Sequence, residues 1–101
     1  MIIYNVTTRV DKSIHQEWLT WLQDEHIPAL LATQCFTKAT VLRLLEMDES
    51  DGPTYAVQYQ ATDRQHYQQF IENFEAAMQQ RSRNEWGNSA LSFETVMQVV
   101  N

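Results

Sequence analysis

Residues 2–10, IIYNVTTRV, alternate along the chain: Tyr4, Val6, Thr8 and Val10 fall on one side, Asn5, Thr7 and Arg9 on the other. A period of two in β-branched and aromatic residues predicts a strand with one buried face. The period then changes. Ile14, Trp18, Leu22 and Ala29 cluster at about 100° per residue, flanked by Trp21 and Leu19, while Gln16, Glu17, Thr20, Gln23 and Asp24 fill the opposite arc. With Asp11 as a candidate N-cap and Ser13 with Gln16 as a capping box, this predicts a helix over 12–32.

The segment CFTKATVLRLLEM (35–47) reads as a second strand, DESDGP (48–53) as a turn and TYAVQYQA (54–61) as a third strand. TDRQ (62–65) is a second capping box. It opens a helix to about residue 81, in which Tyr67, Phe70, Ile71, Phe74, Ala77 and Met78 keep helical spacing. WGNS (86–89) punctuates, and ALSFETVMQVV (90–100) alternates again. The order strand, helix, strand, strand, helix, strand predicts the α+β, ferredoxin-like βαββαβ arrangement, a four-stranded antiparallel sheet with two helices on one face. At 101 residues one domain, 1–101, is expected.

The opposite sheet face then needs an explanation. Each strand offers one strongly apolar set for the helices, such as Tyr55, Val57 and Tyr59 or Leu91, Phe93, Met97 and Val99. The complementary sets are mixed: Asn5, Thr7 and Arg9; Ala56, Gln58 and Gln60; Glu94, Val96, Gln98 and Val100. Valine and alanine among amides predict a face covered by a second copy of the chain.

Charge and composition remove several alternatives. Seven basic against thirteen acidic residues give a net charge of −6 without a basic cluster, which argues against a nucleic-acid partner and against an anionic membrane. No apolar run approaches the roughly 20 residues of a membrane span, and the N-terminal MIIYNV lacks the pattern of a secretory signal. A lone cysteine, Cys35, forms no internal disulfide and fits the reducing cytoplasm; beside Phe36 it reads as a small buried side chain.

The stretches MIIYNVT, H-x-E-W-L-x-W-L-x-x-E-H-I-P-A-L-L-A-T, CF and TYAVQY resemble a small bacterial family known only as a domain of unknown function. That family is similar to the dimeric α/β-barrel superfamily, which includes antibiotic-biosynthesis monooxygenases and stress-responsive barrel proteins. The resemblance spans essentially the whole chain and is most specific over 15–36. It implies a ferredoxin-like protomer that pairs sheet to sheet as a dimeric α/β barrel, and it implies no activity. It also implies a ligand pocket between the first helix and the sheet, with the histidine of an H-x-P motif, here His26, pointing into it. One departure is Gln34, where the family has glycine; a differently turned loop over Thr33–Phe36 is expected from it.

Among the residues themselves, His26 and Glu25 are the candidate chemical groups. On the helical wheel His26 lies at the edge of the apolar arc and Glu25 near its centre, where an unpaired carboxylate would be costly. Pro28 cannot donate to the carbonyl of Asp24 and disfavours helical geometry at Ile27, so a kink or an ending is expected beside both. A pocket there would be lined by Trp18, Trp21, Leu22, His26, Asn5 and Arg43. The bland alternative makes Trp18 and Trp21 core, His26 a satisfied histidine and Glu25 solvent-exposed. Trp86 is expected to pack on the second helix, and His15 and His66 to be exposed.

No metal site is expected: Glu46, Asp48, Glu49 and Asp51 do not fit a calcium loop, and no C-x-x-C or H-E-x-x-H occurs. Two glycines leave no phosphate loop, no serine sits in G-x-S-x-G to act as an α/β-hydrolase nucleophile, and no cofactor is expected. Haem fits poorly, because the third strand carries Tyr55 and Tyr59 where the haem-degrading relatives use tryptophan. Three readings stand side by side. One is a cytoplasmic homodimer binding a small apolar or aromatic molecule near His26. Another is a cofactor-independent monooxygenase or isomerase acting on an aromatic or quinone-like substrate, with His26 as base and Asn5 or Arg43 steadying an oxyanion. The third is a regulatory or scaffold module.

Overall fold

Four strands hydrogen bond in the order β2-β3-β1-β4, every neighbouring pair antiparallel, in a computed structural model that describes residues 1–101. The strands are β1 (Ile2–Val10), β2 (Lys38–Arg43), β3 (Thr54–Ala61) and β4 (Ala90–Gln98). Two helical rods cover one sheet face. The first is α1 (His15–Trp21), a π turn (Leu22–His26) and α2 (Ile27–Ala32); the second is α3 (Arg64–Asn73) and α4 (Glu75–Trp86), broken at Phe74. This is the ferredoxin-like α+β arrangement expected from the pattern.

Boundaries moved where local chemistry decided them. The first rod starts at His15, after a backbone turn in which Ile14 N–H reaches Asp11 O, and no side chain caps it. Ser13 and Gln16 form no capping box there. Asp63, not Thr62, caps α3, its carboxylate accepting from His66 N–H at 2.9 Å. The second strand is confined to six residues, because Cys35 and Phe36 turn into the core and residues 44–47 leave the sheet. The second rod continues to Trp86.

Pro28 produces neither an ending nor a sharp break. A proline in an α-helix presses its ring on the carbonyl four residues back. Here the turn before it is widened, with Ile27 N–H bonded to Leu22 O five residues back, and the helix resumes as α2. Glu25 and His26 stand on that wide turn.

The core lies between the rods and the inner sheet face. Tyr4, Tyr59, Phe36 and Phe70 form an aromatic cluster, with Phe36 and Phe70 centroids 4.8 Å apart. Phe70 is fully buried, worth about 2–3 kcal/mol relative to exposure. The hairpin loop clamps the end of β1: Val10 N–H bonds Pro53 O and Lys12 N–H bonds Asp51 O. Gly52 sits at φ +142 with a Cβ position 1.8 Å from Val10 O, so no other residue fits.

The register corrects one expectation. On β4 the residues paired with inner-face Tyr4, Val6 and Thr8 are Val96, Glu94 and Ser92. Leu91, Phe93 and Met97 of the apolar set therefore lie on the outer face with Ile3, Asn5 and Thr7, Phe93 is 61% exposed, and Val99 falls beyond the strand. Alternation sorts residues into two sets but does not say which set meets the helices. Beneath α4, which buries none of its residues fully, β4 meets an opening rather than a packed core.

No helix is long and apolar enough to cross a membrane.

Candidate functional site

That opening is a cleft of about 380 Å³ between α4 and the inner face of β1 and β4. Tyr4, Val6, Leu30 and Phe70 supply apolar walls, and His26 enters from the π turn. The polar side is made by Gln79, Ser82 and Arg83 of α4 and by Ser92 and Glu94 of β4. Gln79 Nε2 donates to Glu94 Oε1 at 2.6 Å, tying helix to strand across the cleft. Tyr4 anchors the same helix by donating its hydroxyl to Glu75 Oε2 at 2.8 Å. Burial, followed by that bond to the Glu75 carboxylate, pushes the Tyr4 phenol well above its ordinary range.

His26 stacks on the Trp21 indole with ring centroids 4.5 Å apart and planes 19° from parallel. Trp86 meets Trp21 edge-on at 5.7 Å, so it locks the end of α4 onto the first rod rather than packing on its own helix. Burial, assisted by the positive charge of Arg81, pushes the His26 imidazole down to about 4. At neutral pH the ring is uncharged. Its Nδ1 is sealed from solvent and has no hydrogen-bond partner.

The structure divides the other expected site residues into two groups. Trp18 and Trp21 fill the space between the first rod and the sheet, and with Leu22 they belong to the core. The wide cleft lies instead under the second rod. Trp18, Trp21 and Leu22 do line, with His26, a small cavity of about 40 Å³, an annex that shares Val6, His26, Ser82 and Ser92 with the cleft. Glu25 is exposed and lines neither space. Asn5 sits on the outer face, its amide donating to Thr7 Oγ1 at 3.0 Å. Arg43 is exposed at the end of β2, paired with Glu49 at 2.6 Å and 5.8 Å from the Tyr55 ring. Neither lines the cleft or the annex.

His15 is not free, since its Nε2 is 2.6 Å from the Tyr55 hydroxyl. His66 lies 2.7 Å from Asp63 Oδ1 at the start of α3. No three His, Cys, Asp or Glu side chains converge on a point that could hold a metal ion. Sequence reasoning missed Ser82, Ser92, Glu94 and Gln79. The signal was the inner set of β4, in which Ser92, Glu94 and Gln98 stand beside Ala90 and Val96, more polar than a packed core would accept.

Gln34 ends the first rod in a conformation that glycine adopts readily. Its φ is +64, the left-handed region in which glycine is favoured, so Gln34 bears the strain.

Among solved structures the fold recurs over nearly the whole chain. A dimeric ferredoxin-like protein from an uncultured marine organism matches with TM-score 0.75 at 10% identity, covering 99% of this chain and 95% of its own. An ethyl tert-butyl ether d (EthD) family protein from Bacillus halodurans matches at 0.70 and 16%, covering 99% and 100%. HapK from Hahella chejuensis matches at 0.71 and 14%, covering 100% and 94%. None of the curated proteins matches the chain. Residues 1–100 match the model of one family, described as Domain of unknown function (DUF4286).

Proposed function

The chain belongs to the DUF4286 family, whose description carries no activity, and from its geometry we propose that it binds a small apolar or aromatic molecule in the His26 cleft. The observation that carries this is the juxtaposition of apolar walls, a few convergent polar groups and an uncharged histidine with an unpaired, sealed nitrogen. Small-molecule sites have this composition and this size, several hundred Å³. A buried imidazole nitrogen without a partner costs free energy unless something supplies one.

Binding is favoured over catalysis by the state of His26. A general base works best when its pKa lies near the working pH, and an imidazole held at about 4 is a weak base at pH 7. With Asn5 and Arg43 elsewhere, the monooxygenase or isomerase reading also lacks its oxyanion partners.

The same reading makes the protein a homodimer paired through the outer sheet face. Ile3, Leu91, Phe93 and Met97 form an apolar surface there that no helix covers, and the structural neighbour from an uncultured marine organism is described as dimeric. A cytoplasmic setting fits the single free thiol of Cys35.

A thermal-shift screen with menadione, riboflavin, haemin and naphthoate, repeated on His26→Ala, tests the binding site. A compound that raises the wild-type melting temperature and not that of the variant supports it. Equal shifts in both proteins would remove His26 from the site, and no shift with any compound would count against binding.

A further inference from the structure

The cleft alone does not say which end of a ligand goes where, but the annex beside it does. Its volume of about 40 Å³ holds a water-sized group and no ring. Thr8, Ser82, Ser92, Tyr59 and His26 line it, and each carries an uncharged group able to donate or accept a hydrogen bond. One of these groups lacks a partner: His26 Nδ1 is sealed and unpaired. Burial raises the Tyr59 phenol. Thr8 Oγ1 and Ser92 Oγ are 2.7 Å apart, which leaves each hydroxyl further capacity.

The charged groups stand elsewhere. Arg83 and Glu94 line the wide cleft, and no carboxylate, lysine or arginine lines the annex. An ion placed in the annex would exchange water for neutral partners only, which is costly. A hydroxyl or carbonyl would satisfy the unpaired His26 nitrogen without that penalty.

Resting on the binding role proposed for the cleft, we infer that its ligand is an uncharged aromatic carrying a hydroxyl or ketone head, the ring in the cleft and the head in the annex among Tyr59, His26, Thr8 and Ser92. Tyr59 is then a specificity-determining residue, although it lies on β3, away from the residues that shape the cleft.

The test is a matched series of naphthalene, naphthol and naphthoate, with dissociation constants read by ligand-observed NMR on the wild type and on Tyr59→Phe. Naphthol is expected to bind more tightly than naphthalene by about three- to tenfold, one good hydrogen bond. Naphthoate should bind no better than naphthalene. Tyr59→Phe should bring naphthol close to naphthalene and leave naphthalene unchanged. If naphthol and naphthalene bind alike, the annex head site falls while the cleft stands. If naphthoate binds most tightly, the head is an anion near Arg83 and the inference is overturned. If none of the three binds, the cleft reading fails and takes this one with it. Circular dichroism melts confirm that Tyr59→Phe, which only deletes an oxygen, is folded.

Discussion

The imidazole of His26 lies flat on the indole of Trp21, 4.5 Å between centroids, at the point where the first helix widens to accommodate Pro28. That contact keeps the ring out of water and so keeps it uncharged. Its consequence is a pH dependence. The native pKa of about 4 lies below the ordinary 6.5, so between these values the unfolded chain binds a proton that the folded chain refuses. Stability is therefore full above about pH 6.5 and falls on acidification toward pH 4, by at most about 3 kcal/mol. Urea titrations at pH 7, 5.5 and 4 on the wild type and on His26→Gln check this. The variant should lose most of the slope in that window; Asp48, Glu49 and Asp63, held below the ordinary carboxylate range by their hydrogen bonds, act only at lower pH.

Tyr4 reaches across from β1 to hold Glu75 at the start of α4. Removing the hydroxyl in Tyr4→Phe keeps the ring in its aromatic cluster and deletes one bond to a carboxylate. A loss of about 1–2 kcal/mol in denaturant unfolding is expected. An unchanged midpoint would mean that the bond contributes nothing.

Gln34 occupies a backbone conformation that costs a non-glycine residue about 1 kcal/mol. Its side chain is exposed, so replacing it removes no packing. Gln34→Gly should stabilise the protein by somewhat less than that cost, since glycine also loosens the unfolded chain. The change is read as a higher urea midpoint at constant slope.

The outer face makes a prediction about mass. Light scattering at micromolar concentration should give twice the 11.9 kDa of the chain, and Phe93→Asp should return it to 11.9 kDa with the fold intact. A wild-type protein that already scatters as a single chain would remove the pairing.

Much of this architecture was legible in the chain. The bounds of β3 follow from TYAVQYQA, because a turn flanks it on one side and a capping residue on the other. Pro28 pointed to His26, since a missing N–H must disturb the helix locally. Other features depend on three-dimensional register. Asn5 and Arg43 were placed beside His26 by residue type, whereas strand pairing sends Asn5 to the outer face and Arg43 to the far end of β2. The π turn is a way of absorbing Pro28 that periodicity cannot foresee. Glu25 came to lie near the centre of the apolar arc on an ideal wheel, and the same π turn rotates it out to solvent. The cleft itself arises because α4 is polar enough to stand off from β4, a relation between two segments rather than a property of either.

Amide NMR of the labelled protein, titrated with menadione and then with naphthol, tests ligand binding in the cleft most directly. Shift changes confined to residues around His26, Ser82, Ser92 and Glu94 are expected, with the outer face silent. Changes centred on Phe93 and Met97, or none at millimolar ligand, would contradict the site.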